Sequence, residues 1–188
     1  MHTSFRDRAD AGRLLAGKLE RYADRADVVV LALPRGGVPV ADELARAPNA
    51  PIDAVAARES RELERRERVF RGDRPAPEVE GRTVLLVDDG IATGATMRAA
   101  VAALRQLGAR RIVAAVPTAA PSSAATIRAE VDEFVAVITP PEFSSVGQWY
   151  DDFPQTSDDE VCAILTEARQ RAAPQAAPDA QAHGRRTR

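Results

Sequence analysis

Lysine is nearly absent from this chain: Lys18 is the single lysine among 26 basic residues, so arginine carries almost all the positive charge. Against 28 acidic residues this leaves a formal net charge of −2, with no basic field for nucleic acid, and that class of partner is set aside. Cysteine occurs once. Cys162 excludes an intrachain disulfide and any multi-cysteine metal site, and its neighbours Val161, Ile164 and Leu165 predict a buried helical thiol. Aromatics make up 4% of the residues, and the two histidines, His2 and His183, lie near the termini, poor positions for catalysis. No apolar run reaches the ~18 residues of a membrane span and no secretory core segment opens the chain, so no membrane partner is expected and the location is read as cytoplasmic.

What is present suits one α/β domain. At 188 residues and 45% apolar content the chain can bury one sizeable core. Helical and strand patterns alternate: helix 7–23, strand 27–33, helix 38–47, strand 52–56, a charged helix 57–71, strand 83–88, helix 95–107, strand 111–117, helix 121–131, strand 133–138 and helix 157–171. Alternation of this kind predicts a parallel five-stranded sheet flanked by helices and joined by right-handed crossovers. The domain is drawn at 1–172. Residues 173–188, rich in Ala, Pro and Gln without apolar periodicity, are expected to be disordered. In the charged helix, Arg58 with Glu62, Glu62 with Arg66 and Glu64 with Arg68 are spaced for i,i+4 pairing, which reads as a solvated face.

Residues Val84–Met97 carry the most chemistry. Val84, Leu85, Leu86 and Val87 suit a strand covered on both faces, and Asp88 and Asp89 follow where that strand leaves the sheet, the place where open α/β sheets bind ligands. Gly90 and Gly94 allow a tight turn, Thr93 and Thr96 add hydroxyls, and a helix begins at once, its first-turn N–H groups free to take a phosphate. Ionised carboxylates accept hydrogen bonds and repel phosphate, so the two acids suit a diol or a hydrated cation while Thr93 to Thr96 suit a monophosphate. Together these subsites outline a ribose 5-phosphate.

An apolar strand, two acids, three variable residues, Thr-Gly, one residue and Thr resembles the phosphoribosyl pyrophosphate motif of type I phosphoribosyltransferases. No lysine follows the glycine as in a Walker loop, and no Gly-x-Gly-x-x-Gly occurs here. The resemblance implies Asp88 and Asp89 as catalytic and ribose-binding acids, with Ala92, Thr93, Gly94, Ala95 and Thr96 holding the 5-phosphate. It also implies a pyrophosphate loop at Arg35, Gly36 and Gly37, after the apolar run Val28–Leu33, where arginine can pair with phosphate oxygens and glycines admit the backbone. Mg²⁺ would arrive with phosphoribosyl pyrophosphate, with Asp88 and Asp89 in reach of it. The loop after the last strand, Thr139–Phe153, is similar to the base-binding stretch of 6-oxopurine members and makes Phe143, Val146, Trp149 and Tyr150 acceptor-side candidates; the same aromatics could equally pin the loop to the core. Such members commonly carry Asp at the position of Ala92 and adenine-type members Ala, which weakens a 6-oxopurine assignment and leaves the base open. Phe5-Arg-Asp-Arg, Leu33-Pro-Arg-Gly-Gly-Val and Val87-Asp-Asp-Gly-Ile-Ala-Thr-Gly-Ala-Thr bring the chain nearest a bacterial group of this family.

One departure divides the functional expectations. In that group a strand resembling Leu-Asp-Val-Val-x-Val-Arg-Lys precedes a long insertion that includes the loop closing over the substrate. Here Ile52–Glu59 runs straight into Ser60–Glu67, and on one alignment Glu59 stands in place of a lysine. Two readings follow: a phosphoribosyltransferase of nucleotide salvage, a glycosyltransferase that releases pyrophosphate as it joins ribose 5-phosphate to a base; or a noncatalytic phosphoribosyl-ligand-binding or regulatory domain without the lid. A homodimer, in which a partner subunit lends a loop, is compatible with the first.

Overall fold

A computed structural model describes residues 4–46, 52–54, 70 and 77–172. The predicted charged helix 57–71, its ion pairs, the Ile52–Glu67 junction beyond Ala54 and the tail 173–188 lie outside the described residues, apart from the buried Phe70.

Five strands form one sheet in the order β2-β1-β3-β4-β5, all parallel: β1 (Val28–Ala32), β2 (Ile52–Ala54), β3 (Thr83–Val87), β4 (Arg111–Thr118) and β5 (Glu133–Ile138). The expected α/β class and five-stranded parallel sheet are therefore present. β1 and β3 are buried along their whole length, which is why their sequences are apolar without alternation.

Helices cover both faces. On one face α1 (Arg8–Lys18), α2 (Gly37–Arg46) and α5 (Asp158–Ala172) pack Leu15, Val40, Val161 and Leu165 onto Val28, Val30, Leu85 and Val113. On the other, α3 (Ala95–Gln106) and α4 (Pro121–Glu130) pack Met97, Leu104, Ala124 and Ile127 onto Val29, Leu31, Leu86 and Ile112. Successive strand residues thus feed opposite cores, as the period of two requires.

The predicted first helix, 7–23, is shorter than expected. It stops at Lys18, where the Leu19 N–H turns to Ala16 O (2.9 Å), and Glu20–Tyr22 continues as a separate 3₁₀ turn. Helical spacing alone does not distinguish the two, because Leu15, Leu19 and Tyr22 are buried in either geometry. The ends of the other described helices fall within about a residue of expectation; Gly108, at φ 78°, closes the chain behind α3.

The strand order places β1 between β2 and β3, so the chain leaves β1 to one side and resumes on the other. Ligands of open α/β sheets sit in the crevice at such a reversal, beyond the carboxyl ends of the strands. Here that point lies between the segments that follow β1 and β3.

Candidate functional site

Two loops meet at that crevice. After β1, the chain turns through Pro34–Gly37, with a cis peptide between Pro34 and Arg35, and Leu33 N–H bonds Val87 O (2.8 Å). After β3 come Asp88 and Asp89. The glycines of the first loop are there because of the second: a Cβ on Gly37 would lie 2.6 Å from Val87 O and 2.9 Å from Asp88 Cα, and one on Gly36 would overlap Asp89 Oδ2 and lie 2.5 Å from Asp89 Cγ. Arg35 and the acid pair, predicted as parts of separate subsites, thus belong to adjoining loops. Arg35 is half-buried, its guanidinium 3.7 Å from Asp158 in the first turn of α5.

The two acids differ in their surroundings. Asp88 is half-buried and accepts the Asp89 N–H on Oδ1 (2.8 Å). Burial and then the adjacent Asp89 charge push its carboxyl well above the usual range. Asp89 Oδ2 accepts from Arg8 Nε (2.9 Å), while its backbone carbonyl accepts from the Tyr150 hydroxyl (2.6 Å). Burial and the acids hold that hydroxyl firmly protonated, as a donor must be.

The second half of the motif forms an open cradle. Gly94 takes φ 78° as N-cap of α3, a conformation that costs a side-chain-bearing residue energy, and a Cβ there would come 2.9 Å from Ile127 Cδ1. Around it Ala92, Thr93, Ala95 and Thr96 are exposed, with Thr93 Oγ1 3.5 Å from the Ala95 N–H. Ser123, from the first turn of α4, donates to Ala92 O (2.6 Å) and ties the cradle to the next helix. Free first-turn N–H groups behind exposed threonines can receive a phosphate.

The aromatic loop divides in two. Trp149 and Tyr150 are buried with Phe5 and Ala11, and Phe5 N–H bonds Trp149 O while Asp151 N–H bonds Phe5 O, both at 2.8 Å. Phe143 and Val146 stay half-exposed, and Val146 leans over Gly90, where a Cβ would lie 2.5 Å from Val146 Cγ1. Of the four acceptor-side candidates, Val146 thus faces the acid loop and Phe143 keeps accessible surface beside the Phe5 cluster, whereas Trp149 and Tyr150 anchor the aromatic loop.

Arg8 is the site neighbour that motif reading passes over. It reaches Asp89 from 81 positions away, donates through Nη1 to Pro154 O (2.7 Å) and lies 3.8 Å over the Phe153 ring, with its side chain 11% exposed. Its place in the opening Phe5-Arg-Asp-Arg was the one signal available.

Among the described residues no group of three or more His, Cys, Asp or Glu is arranged to hold a metal ion. Asp88 and Asp89 each retain a carboxylate oxygen without a hydrogen bond among those residues, which suits a hydrated hard cation brought in on a ligand better than a resident all-protein site. No described helix is long and apolar enough to cross a membrane.

Known proteins resemble the chain in sequence and fold. The phosphoribosyl transferase domain model matches residues 4–149, and the chain belongs to that family. It is 39% identical over 222 aligned residues to a Mycobacterium tuberculosis protein provisionally named a phosphoribosyl transferase, covering 95% of this chain and 50% of the relative. The chain therefore spans about half the length of the curated relatives it matches first. Because the alignment is longer than the 188-residue chain, the relative carries residues within it that have no counterpart here. The crystal structure of TT1426 from Thermus thermophilus superposes with a TM-score of 0.77 at 38% identity, covering 87% of this chain and 98% of that one. An orotate phosphoribosyltransferase of Mycobacterium avium is 37% identical over 119 residues, 62% of this chain and 64% of the relative.

Proposed function

We propose that the chain is a phosphoribosyltransferase that transfers ribose 5-phosphate from phosphoribosyl pyrophosphate to a nitrogenous base and releases pyrophosphate. The observation that carries this reading is the meeting of the acid pair, the Arg35–Gly37 loop and the open Thr93–Thr96 turn at one crevice of the sheet. The family membership and the orotate phosphoribosyltransferase relative support the reaction class.

Each part has a chemical task. The 5-phosphate sits on the Ala92–Thr96 turn, where N–H groups and the positive end of α3 offset its charge. Asp88 and Asp89 accept hydrogen bonds from the ribose hydroxyls and set the sugar's orientation. Arg35, with the Gly36 and Gly37 backbone, holds the pyrophosphate on the far side of the acids. In the transfer, a nitrogen of the base forms a bond to the anomeric carbon as the bond to pyrophosphate oxygen breaks, and the leaving group carries away the electron pair. The acids and loops contribute positioning, the largest lever available to a site without a nucleophile of its own. Mg²⁺, when bound, screens charge on the pyrophosphate. The base enters from the Phe143 and Val146 side, backed by Trp149 and Tyr150.

The test is pyrophosphate release from phosphoribosyl pyrophosphate, with and without Mg²⁺, over a panel of purine and pyrimidine bases. Release with at least one base is expected. Saturable binding with no release for any base would replace the transferase reading by that of a binding or regulatory domain, the outcome that the residues lacking here relative to the Mycobacterium tuberculosis protein would explain.

A further inference from the structure

The geometry points to Arg8 as a positioning residue for ribose recognition, acting through Asp89, and to the Ser4–Arg8 segment as the tie that sets the acid pair and the acceptor loop together. This inference rests on the proposed phosphoribosyl site.

Three observations carry it. First, the Arg8 guanidinium is spent on holding things in place. Nε bonds Asp89 Oδ2, Nη1 bonds Pro154 O, and the plane covers Phe153. A planar fork with separate donors can do this, whereas a lysine ammonium has one point of charge. Second, Asp89 has no room to turn. Its carboxylate lies against Gly36, its N–H is taken by Asp88 Oδ1, and its carbonyl is held by Tyr150. With Oδ2 fixed by Arg8, the other oxygen is the one left to meet a ligand. Third, the same short segment pairs with the aromatic loop: Phe5 bridges Tyr150, and Asp152 N–H bonds Arg6 O (2.9 Å). Phe5, Tyr150 and Phe153 stack in succession, with centroids 5.3 and 4.7 Å apart.

The segment therefore connects the ribose acids to the loop bearing Phe143 and Val146. Arg8 takes Asp89 Oδ2, the oxygen that lies against Gly36, and leaves Oδ1 for the ribose.

The test measures two ligands on the full chain by calorimetry: phosphoribosyl pyrophosphate, which carries ribose, and inorganic pyrophosphate, which does not. Arg8→Ala should weaken phosphoribosyl pyrophosphate about tenfold or more and change pyrophosphate by less than about threefold, since one charge-assisted contact is lost at the ribose side only. In an Asp89→Asn background the Arg8→Ala effect should disappear, because its route is gone. Arg8→Lys, which keeps the charge and is the safeguard should the alanine variant fail to fold, should retain the fold by thermal melt and give an intermediate loss. An equal loss for both ligands would place Arg8 on phosphate directly and overturn the inference. So would an unchanged affinity for phosphoribosyl pyrophosphate in both Arg8 variants, or an undiminished effect in the Asp89→Asn background. Wild-type chain that binds no phosphoribosyl pyrophosphate would overturn the proposed function itself, and this inference with it.

Discussion

At the N-terminal ends of the strands three carboxylates are surrounded: Asp27 pairs with Arg25 (2.8 Å) and Arg110 and accepts from Thr83 (3.3 Å), and Glu133 accepts from Tyr22 (2.6 Å) and Arg111 (3.0 Å) and pairs with Arg21. Asp132 likewise takes Arg105 and the Ile112 N–H, both at 2.7 Å. At the C-terminal ends, two adjacent acids share one arginine, and the threonines beyond them are open to solvent. The same residue types serve fold at one end and are left incompletely paired at the other. Their charge states diverge accordingly. The Arg25 and Arg110 guanidiniums bring Asp27 from 3.8 down to about 2, whereas burial beside Asp89 pushes Asp88 up. Ion pairs that close on themselves hold the sheet's edge together, and carboxylates left short of partners are where a ligand completes the set.

The largest expected effect breaks the incomplete end. Gly36→Ala adds a methyl where Asp89 Oδ2 now sits, and Asp89, held by Arg8 and its backbone bonds, cannot yield without moving. Affinity for phosphoribosyl pyrophosphate should fall about a hundredfold, the scale of an ångström misplacement in such a site, and the melting temperature should fall with it because the added methyl overlaps a fixed side chain. Unchanged affinity in a calorimetric titration would show that the two loops do not share a ligand.

Asp88→Asn should lose ligand affinity and gain stability together. A raised carboxyl favours the folded state at low pH and costs stability as pH rises through the ordinary carboxylate range, so the amide should raise the neutral-pH melting temperature by a few degrees. That gain should shrink toward pH 3. A lower melting temperature at pH 7 would mean the acid is paired in a way its surroundings do not suggest.

The smallest effect belongs to the saturated end, and its sign is opposite. Asp27, held down to about 2, contributes stability that is present above its ordinary value and lost as pH falls toward 2. Asp27→Asn should therefore lower the melting temperature modestly at pH 7, and the difference should fade near pH 2 and in high salt. Affinity for phosphoribosyl pyrophosphate should not change. Were it to change as much as in Asp88→Asn, the contrast between the two ends would have no functional meaning.

How much of this could be read in advance depended on sequence separation. The β3–acid–turn–α3 run is contiguous, and each step has a local cause: an unbroken apolar strand, glycines where the backbone turns, and a helix starting at Ala95. The Arg35–Gly37 loop was legible for the same reason, although its closeness to Asp89 became visible only when parallel pairing set Ala32 beside Val87. Arg8 was not legible as a site residue. Arginine is common in this chain, and nothing local to positions 5–8 states that the side chain crosses to Asp89. The aromatic loop could be placed near the site but not divided, because Trp149 and Tyr150 are buried through pairing with Phe5, a contact that no periodicity encodes.

The central claim, that the crevice between β1 and β3 is built around a phosphoribosyl ligand, is tested most directly by calorimetric titration of phosphoribosyl pyrophosphate in the presence of Mg²⁺ into wild-type chain and the Asp88→Asn, Asp89→Asn double variant. Saturable binding at one site per chain is expected for the wild type, with affinity at least tenfold weaker in a double variant that remains folded. No binding by the wild type, or equal binding by both, would contradict it.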